Sequence, residues 1–116
     1  MKFVNWVNSR VTAAACFKMA RMYIHCFAFH WKPGVTDEQI NRAAVEIRAM
    51  QGHIPGLLET YVGRNESPRS QGYAFGGVMK FSDKASFEAY GSNPVHKSLL
   101  SWLMPLIEPV ELDFGA

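Results

Sequence analysis

Ten consecutive residues, Met22-Tyr23-Ile24-His25-Cys26-Phe27-Ala28-Phe29-His30-Trp31, constrain the fold of this chain more than any other stretch. The run is rich in aromatic residues and alternates in side-chain size, which reads as a β-strand. Successive side chains of a strand point to opposite faces. His25, Phe27, Phe29 and Trp31 therefore share one side, and Ile24, Cys26, Ala28 and His30 the other. Both sides carry enough apolar surface to be buried. A chain holding such a strand needs a layer on each face of its sheet: helices on one, and on the other a second layer, for which the small Cys26 and Ala28 suit close sheet-to-sheet contact.

The chain on either side supplies matching elements. With 116 residues, 48% of them hydrophobic, there is apolar material for one real core and no room for a second domain. After the break at Lys32-Pro33-Gly34, the segment Thr36-Asp37-Glu38-Gln39 has the form of a capping box, with Val35 and Ile40 placed as a hydrophobic staple. Ile40, Ala43, Ala44, Ile47 and Met50 then recur at helical spacing, and Gly52 is suited to end the helix. Leu57 to Gly63 reads as a second strand, followed by a long polar loop from Gly63 to Gly72. Tyr73 to Phe81 reads as a third, with Phe75, Gly77, Met79 and Phe81 on its bulkier side. Adjacent glycines inside a strand mark a bulge, a close backbone approach or space left for something else, and Gly77 is expected to leave a gap in the helix-facing layer. Ser82 or Asp83 caps the next helix, Pro94 restarts it, and Pro105 lies near its end. Glu108 to Phe114 is a final short strand. The order strand, helix, strand, strand, helix, strand predicts an α+β, ferredoxin-like βαββαβ arrangement.

Several functions are disfavoured by charge and cysteine placement. The net charge is +2, but Lys2, Arg10, Lys18, Arg21 and Lys32 all precede the first acidic residue, Asp37, so the folded part is mildly acidic. That is no nucleic-acid footprint. Cys16 and Cys26 have neither zinc-site spacing nor the density of a disulfide scaffold, and both read as free thiols. Residues 1–20 contain no acidic residue and form an N-terminal extension expected outside the core; residues 21–116 form the domain. No run approaches the roughly 20 apolar residues of a membrane span, so a soluble, cytoplasmic protein without membrane partners is expected.

One segment places proton-handling side chains on an apolar surface. Asn93 is a good N-cap and Pro94 suits the first helical position. From there His96, Leu99, Leu100, Leu103 and Ile107 fall at helical spacing, so the His96 imidazole should point inward with four aliphatics. Tyr90, with Phe87, edges the preceding helical segment beyond the break at Gly91-Ser92. The two polar groups could meet. A core histidine satisfied by one hydrogen bond is the alternative. A metal site drawn from His25, His53, His96 and Glu111 or Asp113 has no recognised ligand spacing, so no metal is expected. Glu111 and Asp113 alternate with Val110, Leu112 and Phe114, which leaves open whether the acids face solvent or the pocket.

His25, the segment from Lys32 to Gln39, Gly63-Arg64-Asn65, Gly72-Tyr73, the stretch from Tyr90 to His96 and the closing Asp113-Phe114 together resemble the stress-responsive A/B barrel domain family over roughly residues 21 to 115. The resemblance implies a homodimeric α+β barrel in which two four-stranded sheets pack face to face and helices cover the outside. The family includes a polyketide cyclase, olivetolic acid cyclase, that works without a cofactor, and the resemblance places its tyrosine and histidine at Tyr90 and His96. Where many members read His-Pro-x-His, this chain has Asn93-Pro94-Val95-His96, so one histidine is replaced by a capping residue. The resulting expectation is a pocket lined by His25, Phe27, Phe29, Phe75, Met79, Tyr90, His96 and Leu100 that binds a small hydrophobic or aromatic molecule. If chemistry occurs, it is cyclase- or lyase-like and cofactor-independent. His96 would be the base on an acidic C–H and Tyr90 the hydrogen-bond donor to the enolate. The competing reading is a non-enzymatic, stress-related protective oligomer.

Overall fold

The structure, a computed structural model, describes residues 21–116. The N-terminal extension and Cys16 lie outside the described residues. The chain runs β1 (Tyr23–Trp31), α1 (Asp37–Ala49), β2 (Leu57–Arg64), β3 (Phe75–Phe81), α2 (Lys84–Tyr90), α3 (Pro94–Leu103), a 3-10 turn (Met104–Leu106) and β4 (Ile107–Gly115). The four strands form one sheet in the order β2-β3-β1-β4, with every neighbouring pair antiparallel. This is the predicted ferredoxin-like βαββαβ topology, with the helices on one face.

Local chemistry explains the element boundaries. Thr36 Oγ1 accepts a hydrogen bond from Gln39 N (3.1 Å) while Gln39 Oε1 accepts from Thr36 N (2.9 Å), completing the capping box of α1. Asp83 caps α2 by accepting from Ser86 N (2.8 Å), and Asn93 caps α3 by accepting from Val95 N (2.9 Å). Because Pro94 needs no backbone donor partner, the chain turns sharply between α2 and α3 without losing a hydrogen bond. Pro105 enters the 3-10 turn that ends α3, so Ile107 buries itself from the start of β4 and not from the helix that its spacing suggested.

The core lies between the helices and the inner face of the sheet. Ala43, Ile47 and Met50 of α1 and its cap, Leu99 and Leu103 of α3, and Phe29, Phe75, Met79 and Phe81 of the strands are all buried there. Gly77 leaves no gap under the helices, although with Gly63 and Gly76 it borders an open groove of about 460 Å³. Gly77 lies opposite Phe27 in the β1–β3 register, and an added Cβ would strike the Tyr61 carbonyl and the Phe27 ring. The expected hole is filled by Phe27, and the glycine is there because strand and ring approach too closely for a side chain.

The outer face is unlike that of an ordinary two-layer domain. On β4, Asp113 pairs with His25 and Glu111 with Phe27, so both acids share the helix-facing side. Val110, Leu112 and Phe114 point away from the helices and are 46%, 63% and 44% exposed. With Tyr61, Cys26, Ala28 and Val78 they form an apolar face with nothing upon it among the described residues. On β4, acids under the helices and apolar residues opposite them reverse the usual pattern of a sheet with one solvated face.

Candidate functional site

The reversed polarity of β4 builds the site. Two inward carboxylates from an edge strand are brought beside β1, and the α2–α3 junction places Tyr90 and His96 above them. His25 is 6% exposed, and its Nδ1 lies 2.5 Å from Asp113 Oδ1. Pairing with a carboxylate fixes the ring orientation of a histidine that its neighbours would otherwise leave poorly satisfied. The His25 ring also packs against Phe27, Phe87 and Tyr90 at centroid separations of 5.5, 5.0 and 6.1 Å.

Tyr90 and His96 do meet, as stacked rings and not through a side-chain hydrogen bond. Their centroids are 3.9 Å apart with planes 26° from parallel. His96 Nδ1 is buried and has no hydrogen-bond partner of good geometry, although the Gly91 and Tyr90 backbone lies close enough to interact with the ring. Burial holds the imidazole below the ordinary histidine value; the backbone of Gly91 and Tyr90 beside the ring works against this, and nearby His25 adds to it. Burial, with a contribution from the negative Glu111, pushes the Tyr90 phenol far above its ordinary value. At neutral pH the site therefore offers a neutral imidazole and an un-ionised phenol, one suited to take a proton and the other to donate a hydrogen bond.

These groups stand at a neck between two spaces. Inside is an apolar recess of about 60 Å³ lined by Phe27, Phe29, Met79, Leu99, Leu100 and Leu103, among others. Outside is a vestibule of about 220 Å³ bordered by Phe87, Glu88 and Gly91. His25, Tyr90, His96 and Glu111 line both. Of the residues expected in the pocket, only Phe75 does not reach it. Phe75 stacks on Phe29 at 5.9 Å on the β3 side, whereas the recess lies under α3 towards β4. His53 is exposed in a turn with Nδ1 3.0 Å from the Ala49 carbonyl, away from the site. Glu111 and Asp113, left unassigned by their alternation with large apolar residues, are inward, and so are Ile107 and Pro109. The one sequence signal that could have found them is the alternation itself, read on the understanding that both faces of the sheet are covered.

His25, Glu111 and Asp113 present three potential ligand atoms within 4.8 Å of one another, the donor set of a one-histidine, two-carboxylate cation site. Asp113 already occupies the Nδ1 of His25. Cys26 is a free thiol on the opposite face of the strand. No helix among the described residues is long and apolar enough to cross a membrane.

The profile of the Stress responsive A/B Barrel Domain matches residues 24–114. No curated protein matches the chain in sequence. Solved structures with the same fold include a dimeric ferredoxin-like protein of unknown function from Thermobifida fusca. It is 22% identical, with 84% of this chain and 92% of that one covered at a TM-score of 0.75. Hydroxynitrile lyase from Passiflora edulis is 18% identical over 84% of this chain and 94% of its own, with a TM-score of 0.76. A Dabb family protein with a ferredoxin-like fold from Mesorhizobium loti is 25% identical over 81% and 95%, with a TM-score of 0.69.

Proposed function

Because the chain belongs to the stress-responsive A/B barrel domain family, we propose that it is a homodimer, joined through its outer sheet face, in which each protomer binds a small, largely apolar molecule carrying an oxygen function and moves a proton on it. The exposed Tyr61, Val110, Leu112 and Phe114 support the dimer, since a monomer rarely keeps so continuous an apolar patch in water. The dimeric descriptions of the Thermobifida fusca and other neighbours support it as well.

The observation that carries the pocket reading is His96, whose ring lines an apolar recess while its Nδ1 is buried without a partner. Such an atom costs about 1–3 kcal/mol, and a ligand oxygen that reached it on a small turn of the ring would offset that cost. In the proposed step neutral His96 takes a proton from a carbon next to a carbonyl. The electron pair of that C–H bond forms the C=C bond of an enolate as the carbonyl π pair moves onto oxygen, the Tyr90 phenol hydrogen-bonds that oxygen, and the imidazolium returns a proton to the product as the carbonyl re-forms. His25, held by Asp113, borders the other side of the neck. A lyase among the neighbours supports chemistry as well as binding in a pocket of this fold.

The recess is narrow for an aromatic ring, since an engineered cavity that takes benzene measures about 150 Å³, so small ligands fit it best. That narrowness, with the close stacking of Tyr90 on His96, is what favours the second reading, a protective oligomer without catalysis. Deuterium exchange into butanone in D₂O, followed by proton NMR, separates the two. Acceleration by the protein, falling by about 10²-fold or more in His96→Gln and clearly in Tyr90→Phe, is the expected result. No acceleration over buffer, with folded protein, sinks the catalytic reading.

A further inference from the structure

Glu111 has a position that the proton-transfer reading does not use. It sits on the inner face of β4 opposite Phe27, lines both the recess and the vestibule, and has no lysine or arginine partner among the described residues. The other charged residue bordering these spaces is Glu88, and neither lining includes a lysine or arginine. Asp113, two residues along the strand, is engaged with His25. The neck of the pocket is therefore negative without internal compensation, and because Glu111 and Glu88 are exposed to solvent this charge is partly screened. A negative Glu111 would also add, after burial, to what disfavours ionisation of the Tyr90 phenol.

We propose that this pocket selects its ligand by charge: it admits neutral and cationic small molecules, seats an ammonium group against Glu111 with the alkyl portion in the recess, and excludes carboxylates. This rests on the pocket reading above and adds the ligand class to it. An anion at the neck would face Glu111 and Glu88 with no lysine or arginine in the lining to receive it, whereas a protonated amine gains a charge-assisted hydrogen bond and a short alkyl tail fills the recess.

Three probes of one size separate shape from charge: propylamine, 1-propanol and propionate at pH 7. Each is titrated into the full chain while the methyl carbon–proton shifts of Met79 and Leu100 are followed. EDTA is kept present so that no divalent ion takes the His25, Glu111 and Asp113 ligand set. Propylamine should bind about fivefold more tightly than 1-propanol, the scale of a partly solvated charge pair, and propionate most weakly of the three. In Glu111→Gln the advantage of the amine over the alcohol should fall to less than about twofold, with the affinity for 1-propanol retained. Propionate binding as tightly as propylamine, or an amine preference that survives Glu111→Gln, overturns charge selection while leaving the pocket in place. Failure of all three probes to move either methyl removes the pocket reading and this inference together.

Discussion

Replacing His96 with phenylalanine should stabilise the protein, and more so at acid pH. The wild-type imidazole pays for a buried Nδ1 without a partner, a cost of about 1–3 kcal/mol. Phenylalanine removes that nitrogen and keeps a ring against Tyr90, where the centroids now lie 3.9 Å apart. The stacking, about 0.5–1.5 kcal/mol, is therefore retained. The larger ring has the adjoining recess to expand into, which limits the usual overpacking penalty of about 1–3 kcal/mol. A net gain of about 1 kcal/mol raises Tm by about 4–8 °C for a domain of this size. Protein concentration must be held constant, because dissociation of a dimer makes Tm depend on it. The pH dependence follows from the lowered histidine value in the fold. Between that depressed value and the unfolded value near 6.5, the unfolded chain binds a proton that the folded one resists. The stability due to neutral His96 is thus complete above about pH 6.5 and is lost as pH falls through the folded value. The phenylalanine variant has no such loss, so its Tm advantage should widen between pH 7.5 and 5.5. Thermal unfolding followed by circular dichroism across that range is the measurement. A variant less stable at pH 7.5, or an advantage that stays constant or narrows on acidification, would refute the reasoning by showing that the imidazole is satisfied in the fold.

Ala28→Arg, in the middle of the outer face, should give monomer or aggregate by light scattering; an unchanged dimer removes the proposed sheet-to-sheet interface. Gly77→Ala should cost about 1–3 kcal/mol in urea unfolding, since its Cβ meets the Tyr61 carbonyl and the Phe27 ring; a neutral result would mean that β2 and β3 can part without loss. Deleting residues 1–20 should move Tm by less than about 4 °C, a change of roughly 1 kcal/mol or less, and a larger loss would place the extension on the core.

Much of the molecule was legible in local chemistry. The Thr36–Gln39 box, the Asn93 cap and the Pro94 restart identify two helix starts and Ser82-Asp83 narrows the third to two residues, because capping depends on residues three or fewer apart. Alternation in β1 assigned its two faces, and helical spacing brought Tyr90 and His96 together across the break that Gly91 and Ser92 mark. Each of these is a short-range property of the chain. The resemblance that rests on these pieces in order extends to the family as a whole.

The rest needed the assembled sheet. The His25–Asp113 contact joins residues 88 positions apart, and only the antiparallel register of β1 with β4 makes them neighbours. The orientation of β4 was undecidable from its own alternation, because hydrophobicity says which residues leave water and not which of two dry layers they enter. Val110, Leu112 and Phe114 would be read as the core face of an isolated domain; in the fold they form the outer face, and Glu111 and Asp113 enter beneath the helices instead. The same limit hid the size of the recess and the role of Gly77, since both depend on how far Phe27 and α3 reach into the shared space. Packing distances between elements are set by the summed volumes of side chains from distant parts of the chain. In this protein that sum leaves a narrow space closed by aliphatics at one end and by two histidines, a tyrosine and an unpaired carboxylate at the other.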